Sequence, residues 1–335
     1  MSGTTARTRT PATAALREIQ EPVRDRLRLV VEEMGRIVTS ELPFIEDVSR
    51  HLLRARGKLF RPTLTLLSSA VDDRPQERAI MIAAAIELMH LATLVHDDSI
   101  DHSVLRRGLP TVNSLFSHQV SVIMGDFLYS RALTAVVEEG DIDVLRILTR
   151  VSNELTVGEM RQLAAVDRLS FPEAEYHELI RAKTATLLSA ACEVGALCGA
   201  PAHRQALALY GDRLGMAFQI ADDILDYVEE AAVTGKPSGL DLREHKVTLP
   251  LIAALRTMPA AHRVRVDALF AADAPSDDLV ADVVAIVTDA GGIDYARGEG
   301  ERLAREAEAA LAGLPDSPSR VALIDAIAYV MERRS

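Results

Sequence analysis

Residues Met81 to Val95, MIAAAIELMHLATLV, are apolar on nearly every face of a helix and run straight into His96-Asp97-Asp98-Ser99-Ile100-Asp101. A helix apolar all round is a buried one, so these carboxylates stand at the edge of a dry interior. The chain does this a second time. Leu214 to Ala221, LGMAFQIA, has Gln219 as its polar member and runs into Asp222-Asp223-Ile224-Leu225-Asp226. Within each triplet the outer residues, Asp97 with Asp101 and Asp222 with Asp226, are four apart and share one helix face. Asp98 and Asp223 sit about 100° round. Carboxylates that close a buried helix need cations or protons to offset their desolvation. Pairs one turn apart suit hard divalent ions with oxygen ligands, above all magnesium shared with a phosphate. One such triplet reads most simply as a solvated acidic patch; two, each ending a buried helix, do not.

Outward from these stretches the pattern is helical almost everywhere after Leu16, with Ala, Leu, Glu and Arg recurring at 3.6-residue spacing. Short punctuation falls near Gly57 to Pro62, Asp72 to Pro75, Arg107 to Pro110, Gly140, Phe171-Pro172, Gly199 to Pro201, Gly235 to Gly239 and Pro315. Strand-like alternation is scarce. The fold expected is an all-α bundle of about a dozen helices around a central cavity. Length alone suggests two domains, yet no linker divides the chain, so residues 16–335 are read as one domain after a disordered tail over 1–15.

The formal net charge of −12 argues against nucleic acid and against general adhesion to anionic lipid. Cys192 and Cys198 fall on different faces of a helix and predict neither a disulfide nor a zinc site. No uninterrupted apolar run approaches the ~18 residues that span a bilayer, and the expected location is cytoplasmic. The basic residues that accompany the triplets are Lys58 and Arg61 at a break before a helix, Arg106 and Arg107 just after the first triplet, Lys183 beside Thr184, and Lys236 and Lys246 after the second. Six Asp and two diphosphates carry about −12; three Mg²⁺ and those seven cations carry about +13. Without metal, the acids would repel the anions that the cations attract.

These residues resemble the trans-polyprenyl diphosphate synthase family, long-chain type. The likeness runs through Gly57-Lys58-x-x-Arg61-Pro62, Glu87-x-x-His90-x-x-x-Leu94-x-His96-Asp97-Asp98-x-x-Asp101 and Leu105-Arg106-Arg107-Gly108. It continues in Gly125-Asp126-Phe127-Leu128, Lys183-Thr184, Phe218-Gln219-Ile220-Ala221-Asp222-Asp223-x-x-Asp226 and Lys246-x-Thr248-Leu249-Pro250. The resemblance implies an isoprenoid synthase-like fold, a homodimer, and condensation of isopentenyl diphosphate with an allylic diphosphate, using about three Mg²⁺ per site. On it, Asp97 and Asp101 hold two metals and Asp222 a third, with Asp226 in the same ligand set. Arg106, Lys183, Thr184, Gln219 and Lys236 meet the leaving diphosphate. Lys58, Arg61, His90 and Arg107 hold isopentenyl diphosphate, and Lys246 flanks the site. Met89, Ala92 and Thr93 set product length, and the small side chains of Ala92 and Thr93 imply a product longer than C20, C30 to C50. Arg56, Leu59 and His245 depart from the family pattern. A C15 to C20 synthase of the same family is the nearest alternative. A class I terpene cyclase shares the first motif but calls for a different second one and an aromatic pocket, where this chain has 4% aromatics and no Trp. An HD-type phosphohydrolase lacks its further His ligands, and a non-catalytic partner subunit has no need of both triplets.

Overall fold

The structure, a computed structural model, describes residues 12–55, 57–164, 168–228 and 239–332. It is helical nearly throughout: α1 (Ala12–Gln20), α2 (Arg24–Ile37), α3 (Pro43–Arg54), α4 (Phe60–Ser69), α5 (Arg78–Ile100), α6 (Val112–Leu115), α7 (His118–Glu139), α8 (Ile142–Ala164), α9 (Glu173–Ile180), α10 (Thr186–Gly199), α11 (Arg204–Val228), α12 (Leu240–Arg243), α13 (Leu249–Thr257), α14 (Ala260–Ala271), α15 (Asp277–Asp289), α16 (Gly292–Ala310) and α17 (Pro318–Met331). Residues 1–11 lie outside the described residues, and α1 begins inside the segment read as a tail; Leu16 on it is buried. The main core draws on side chains from Leu16 to Val330, and a smaller cluster gathers Tyr227, Leu242, Leu251 and Val280 among others.

α5 is central, as its all-round apolarity requires. It packs on α2, α4, α7 and α10, while α10 also packs on α11, so the two triplet-bearing helices flank a shared neighbour. α11 lies close against the start of α10 because Gly215 carries no side chain: a Cβ there would collide with the Ala185 backbone. By length and composition α5 and α7 each suffice to cross a membrane, which corrects the reading from uninterrupted runs; averaging over a window tolerates Glu87 and His90. In α5, 72% of that window is buried inside the protein, as a core helix is.

Two local features escape helical periodicity. A hairpin pairs β1 (Leu105–Arg106) with β2 (Leu109–Pro110). Its two-residue loop has Arg107 at φ 52° and Gly108 at φ 76°, the signs of a type I′ turn. Between α9 and α10, Arg181–Ala185 forms a π-helical turn, a geometry concentrated at functional sites. It carries Lys183 and Thr184.

Candidate active site

The first triplet closes α5. Asp97 is pushed up to about 6, chiefly by burial and then by Glu159 and Asp101, with Lys183 and Arg106 pulling the other way. Asp98 points elsewhere: it is buried, and both its oxygens accept from Arg106 Nε, at 2.8 and 2.9 Å. The hairpin places Arg106 there. Asp101 caps the helix, its N–H donating to the Asp97 carbonyl at 2.8 Å. Opposite, the π turn presents Lys183, whose Nζ lies 2.9 Å from Glu159 Oε1 and 2.8 Å from Gln162 Oε1 on α8.

The second triplet lies on the last turns of α11. Asp223 is buried and accepts from Tyr176 Oη at 2.6 Å and Gln219 Nε2 at 2.8 Å. Burial, Asp241 and Asp222 push it up to about 7, against those two donors. Gln219 Oε1 accepts from Thr184 Oγ1 at 2.9 Å. Asp226 accepts from the backbone N–H groups of Leu240 and Asp241, both at 3.0 Å. It thereby caps α12, and a metal there would have to share its oxygens. Asp241 is pushed up to about 6 by burial, Asp226, Glu244 and Asp222, against Lys246.

Two lysines close the ring between the triplets. Lys183 acts on Asp97 from the π turn, next to Thr184 and hence Gln219. Lys246 lies 2.6 Å from Glu244 and 3.9 Å from Asp241, and its pKa is raised by Asp101 as well as by those acids. Asp101 and the Asp241–Asp222 side therefore share one electrostatic neighbourhood. Among the described residues no three acidic, His or Cys side chains converge tightly enough to hold a metal by themselves. This is the donor set magnesium uses: one or two carboxylates, with waters and phosphate oxygens completing the octahedron. The carboxylates are raised first by burial and then by neighbouring acids, and a divalent ion would offset both, so the residues fit the group.

Behind the first triplet lies a basic pocket. His90 is driven well below its usual range by burial and by Arg61, Arg107 and Arg106. Arg61 is lowered by burial, Glu87 opposing, and its Nε is buried with no partner. Glu87 is buried with Oε2 unpaired and its pKa raised by burial. Arg107 Nη1 donates to the Ala55 carbonyl at 3.1 Å. Lys58 is exposed, its ammonium 5.9 Å from the centroid of the Tyr329 ring. The Arg107 guanidinium lies over Gly57, where a Cβ would come within 2.5 Å of it. Because the colliding group is a flexible tip, Gly57→Ala should fold normally and displace Arg107. On the roles that the sequence resemblance implies, the expected result is a KM for isopentenyl diphosphate raised about tenfold, or ~1.4 kcal/mol, with kcat little changed, in steady-state assays.

Among the expected residues, Asp97, Asp101, Arg106, Lys183, Thr184, Gln219, Asp222 and Lys246 gather around the ring, and Arg61, His90 and Arg107 around the basic pocket. Lys236 and Arg56 lie outside the described residues. Leu59 and His245, two of the departures from the family pattern, both adopt left-handed backbone, at φ 53° and 54°, a conformation that glycine takes at least cost. Met89 and Ala92 are 1% exposed, whereas Thr93 is half-buried and shares the Asp97 face. The sequence reading missed Glu159, Gln162 and Asp241; Glu159 and Gln162 are three apart on one face of α8, a spacing common on solvated helices.

Asp97, Asp223 and Asp241 all hold pKa values above the ordinary 3.8. The folded chain thus binds more protons than the unfolded one between about pH 4 and 7, and metal-free stability rises as pH falls through that window. His90, depressed, opposes this below its ordinary 6.5. The balance of these groups predicts a Tm about 2 °C higher at pH 6 than at pH 7.5 in EDTA. Mg²⁺ with inorganic diphosphate, which requires ionised carboxylates, should abolish the rise; differential scanning calorimetry reads both.

Residues 42–287 match the family model described as polyprenyl synthetase. The chain is 36% identical over 318 residues to the all-trans-nonaprenyl-diphosphate synthase (geranyl-diphosphate specific) of Rhodobacter capsulatus, covering 94% of this chain and 97% of the relative. It is 38% identical to heptaprenyl diphosphate synthase component 2 of Geobacillus stearothermophilus, over 92% and 96% of the two chains. Among solved structures, polyprenyl synthase from Caulobacter crescentus CB15, complexed with calcium and isoprenyl diphosphate, superposes with a TM-score of 0.89 at 32% identity, covering 96% of this chain and 98% of that one.

Proposed function

The chain belongs to the polyprenyl synthetase family and is a prenyltransferase, and from that premise we propose that it condenses isopentenyl diphosphate onto an allylic diphosphate at the ring between α5 and α11, extending the product beyond C20, to C30 to C50. One observation carries the reading: two aspartate triplets, 125 positions apart by their first residues, Asp97 and Asp222, face one neighbourhood through Lys183 and Lys246. Relatives named as nonaprenyl and heptaprenyl synthases support the length.

Asp97, Asp101 and Asp222 would hold about three Mg²⁺. When bound, magnesium supplies positive charge to the diphosphate oxygens as the allylic C–O bond breaks. Lys183 and Arg106 would meet the same oxygens, and Asp98 holds the Arg106 guanidinium so that it need not reorganise as charge develops. Arg61, Arg107, His90 and Lys58 would hold isopentenyl diphosphate behind the first triplet, presenting its double bond to the allylic carbon. The buried flank of α5 keeps water from the cationic carbon. Among the described residues no His or carboxylate stands out as the final base, and the departed diphosphate would accept the last proton.

A second copy of the chain would cover the apolar stripe formed by Ile123 and Val137 of α7 with Ile142 and Met160 of α8, each more than half exposed; light scattering should give twice the 36.4 kDa chain mass. The function is tested by incubating the pure chain with labelled isopentenyl diphosphate, Mg²⁺ and C5, C10, C15 or C20 primers, with mass analysis of the products. Prenyl diphosphates beyond C20 are expected. Released hydrocarbon, or no incorporation with any primer, overturns the reading.

A further inference from the structure

The middle aspartate of the second triplet is fully engaged without a metal. Asp223 Oδ2 lies 2.6 Å from Tyr176 Oη and Oδ1 lies 2.8 Å from Gln219 Nε2. In its ionised form, which prevails above about pH 7, the Asp223 carboxylate only accepts, and a tyrosine hydroxyl and an amide nitrogen can both donate. In that form both directions are fixed. The orientation of a glutamine amide is otherwise ambiguous, but here its nitrogen must face Asp223. Its oxygen is then the atom 2.9 Å from Thr184 Oγ1. An amide oxygen cannot donate, so the single Thr184 proton points at Gln219. What Thr184 has left for the cavity is lone pairs.

We propose that Asp223 is a positioning residue that sets the proton direction along Gln219 and Thr184, so that Thr184 meets the diphosphate site as an acceptor and not as a donor. The inference rests on the functional reading above and sharpens it. Thr184 then serves groups that donate, such as water molecules held around a magnesium ion, while Lys183 beside it serves the diphosphate oxygens directly. The rival role for Asp223 is that of a further metal ligand. Geometry opposes it: Asp223 is 5% exposed with both oxygens engaged, whereas Asp222 and Asp226 of the same triplet are half-buried at the cavity edge.

Two variants separate the roles. Asp223→Asn is close to isosteric but replaces one acceptor by a donor. Tyr176 still donates to the remaining oxygen, because the opposite orientation strands its proton in the core. The new amide group then faces Gln219, which turns over, and Thr184 must accept from it and release its own proton toward the cavity. The charge-swapped double variant, Asp223→Asn with Gln219→Glu, puts a carboxylate between that new amide and Thr184 and restores the original direction at unchanged net charge.

For Asp223→Asn the expected result is a kcat lower by about 10- to 100-fold, with the half-saturating Mg²⁺ concentration moved less than about twofold. The double variant should recover about tenfold of the loss. A Mg²⁺ requirement raised more than about fivefold with no recovery identifies a metal ligand and overturns the relay, as does a single variant indistinguishable from the parent. Should the parent chain elongate no primer, it is the functional reading that fails. The relay is then read by calorimetry with Mg²⁺ and inorganic diphosphate: an affinity shifted in the single variant and restored in the double supports it, and one that never moves overturns it.

Discussion

Asp97→Asn is expected to lower kcat by roughly 10³-fold, about 4 kcal/mol of transition-state stabilisation, without loss of fold. Asparagine matches the carboxylate in size and can still accept a hydrogen bond, so what it removes is charge. That charge is a burden in the metal-free protein, since burial, Glu159 and Asp101 already push Asp97 up to about 6. The variant should therefore have opposite effects under two conditions. In EDTA, removing an anion from the site should tighten inorganic diphosphate binding. With Mg²⁺, it should weaken binding and depress the rate, because a ligand is gone. Asp222→Asn should behave alike, and the two together should cost far less than the sum of their separate effects, as groups that act as one unit do. Isothermal titration with and without Mg²⁺ reads the sign reversal. A loss of diphosphate affinity that is the same in EDTA would mean that Asp97 acts on the ligand by some route other than a metal.

Much of this site is legible in the sequence because its largest signals are periodic. Helices apolar all round and ending in Asp-Asp-x-x-Asp announce buried helices and a divalent ion at once, and α5 and α11 are those helices. What escapes reading is how short or aperiodic structure places residues, including some that the sequence names. Arg106 is on Asp98 because two strands of two residues turn back through Arg107 and Gly108, and strands that short leave no alternation to detect. Lys183 and Thr184 sit on a π turn, whose wider hydrogen bonding has no signature in composition. Glu159 and Gln162 look like the wet face of α8 until Lys183 arrives from another helix. Spacing alone pairs Asp226 with Asp222, yet it cannot show that the chain returns at Leu240 and Asp241 to claim both of its oxygens. The two outer aspartates of that triplet are thus alike in sequence and different in circumstance.

The same distinction between spacing and surroundings bears on product length. Counting back from Asp97 nominates Ala92 and Thr93 together, but they face different environments. Thr93 is four residues before Asp97, on its face and about 6 Å below it. It is half-buried, with its hydroxyl turned back to the His90 carbonyl at 2.8 Å. Ala92 is about 100° round and 1% exposed, inside the packing of α5. A growing chain that descends from the first triplet along this face meets Thr93 first and Met89 a turn lower. Thr93→Phe should place a ring across that path at little cost in stability, and products should shift from beyond C20 to C20 or less with kcat for the first condensation within a few-fold of the parent. Ala92→Phe must instead push a ring into filled space, costing about 1–3 kcal/mol. Its products should shorten only together with a lower Tm. Product chromatography beside thermal denaturation separates the two. If Thr93→Phe remains active and its products stay as long as the parent's, the growing chain leaves the site by another face of α5.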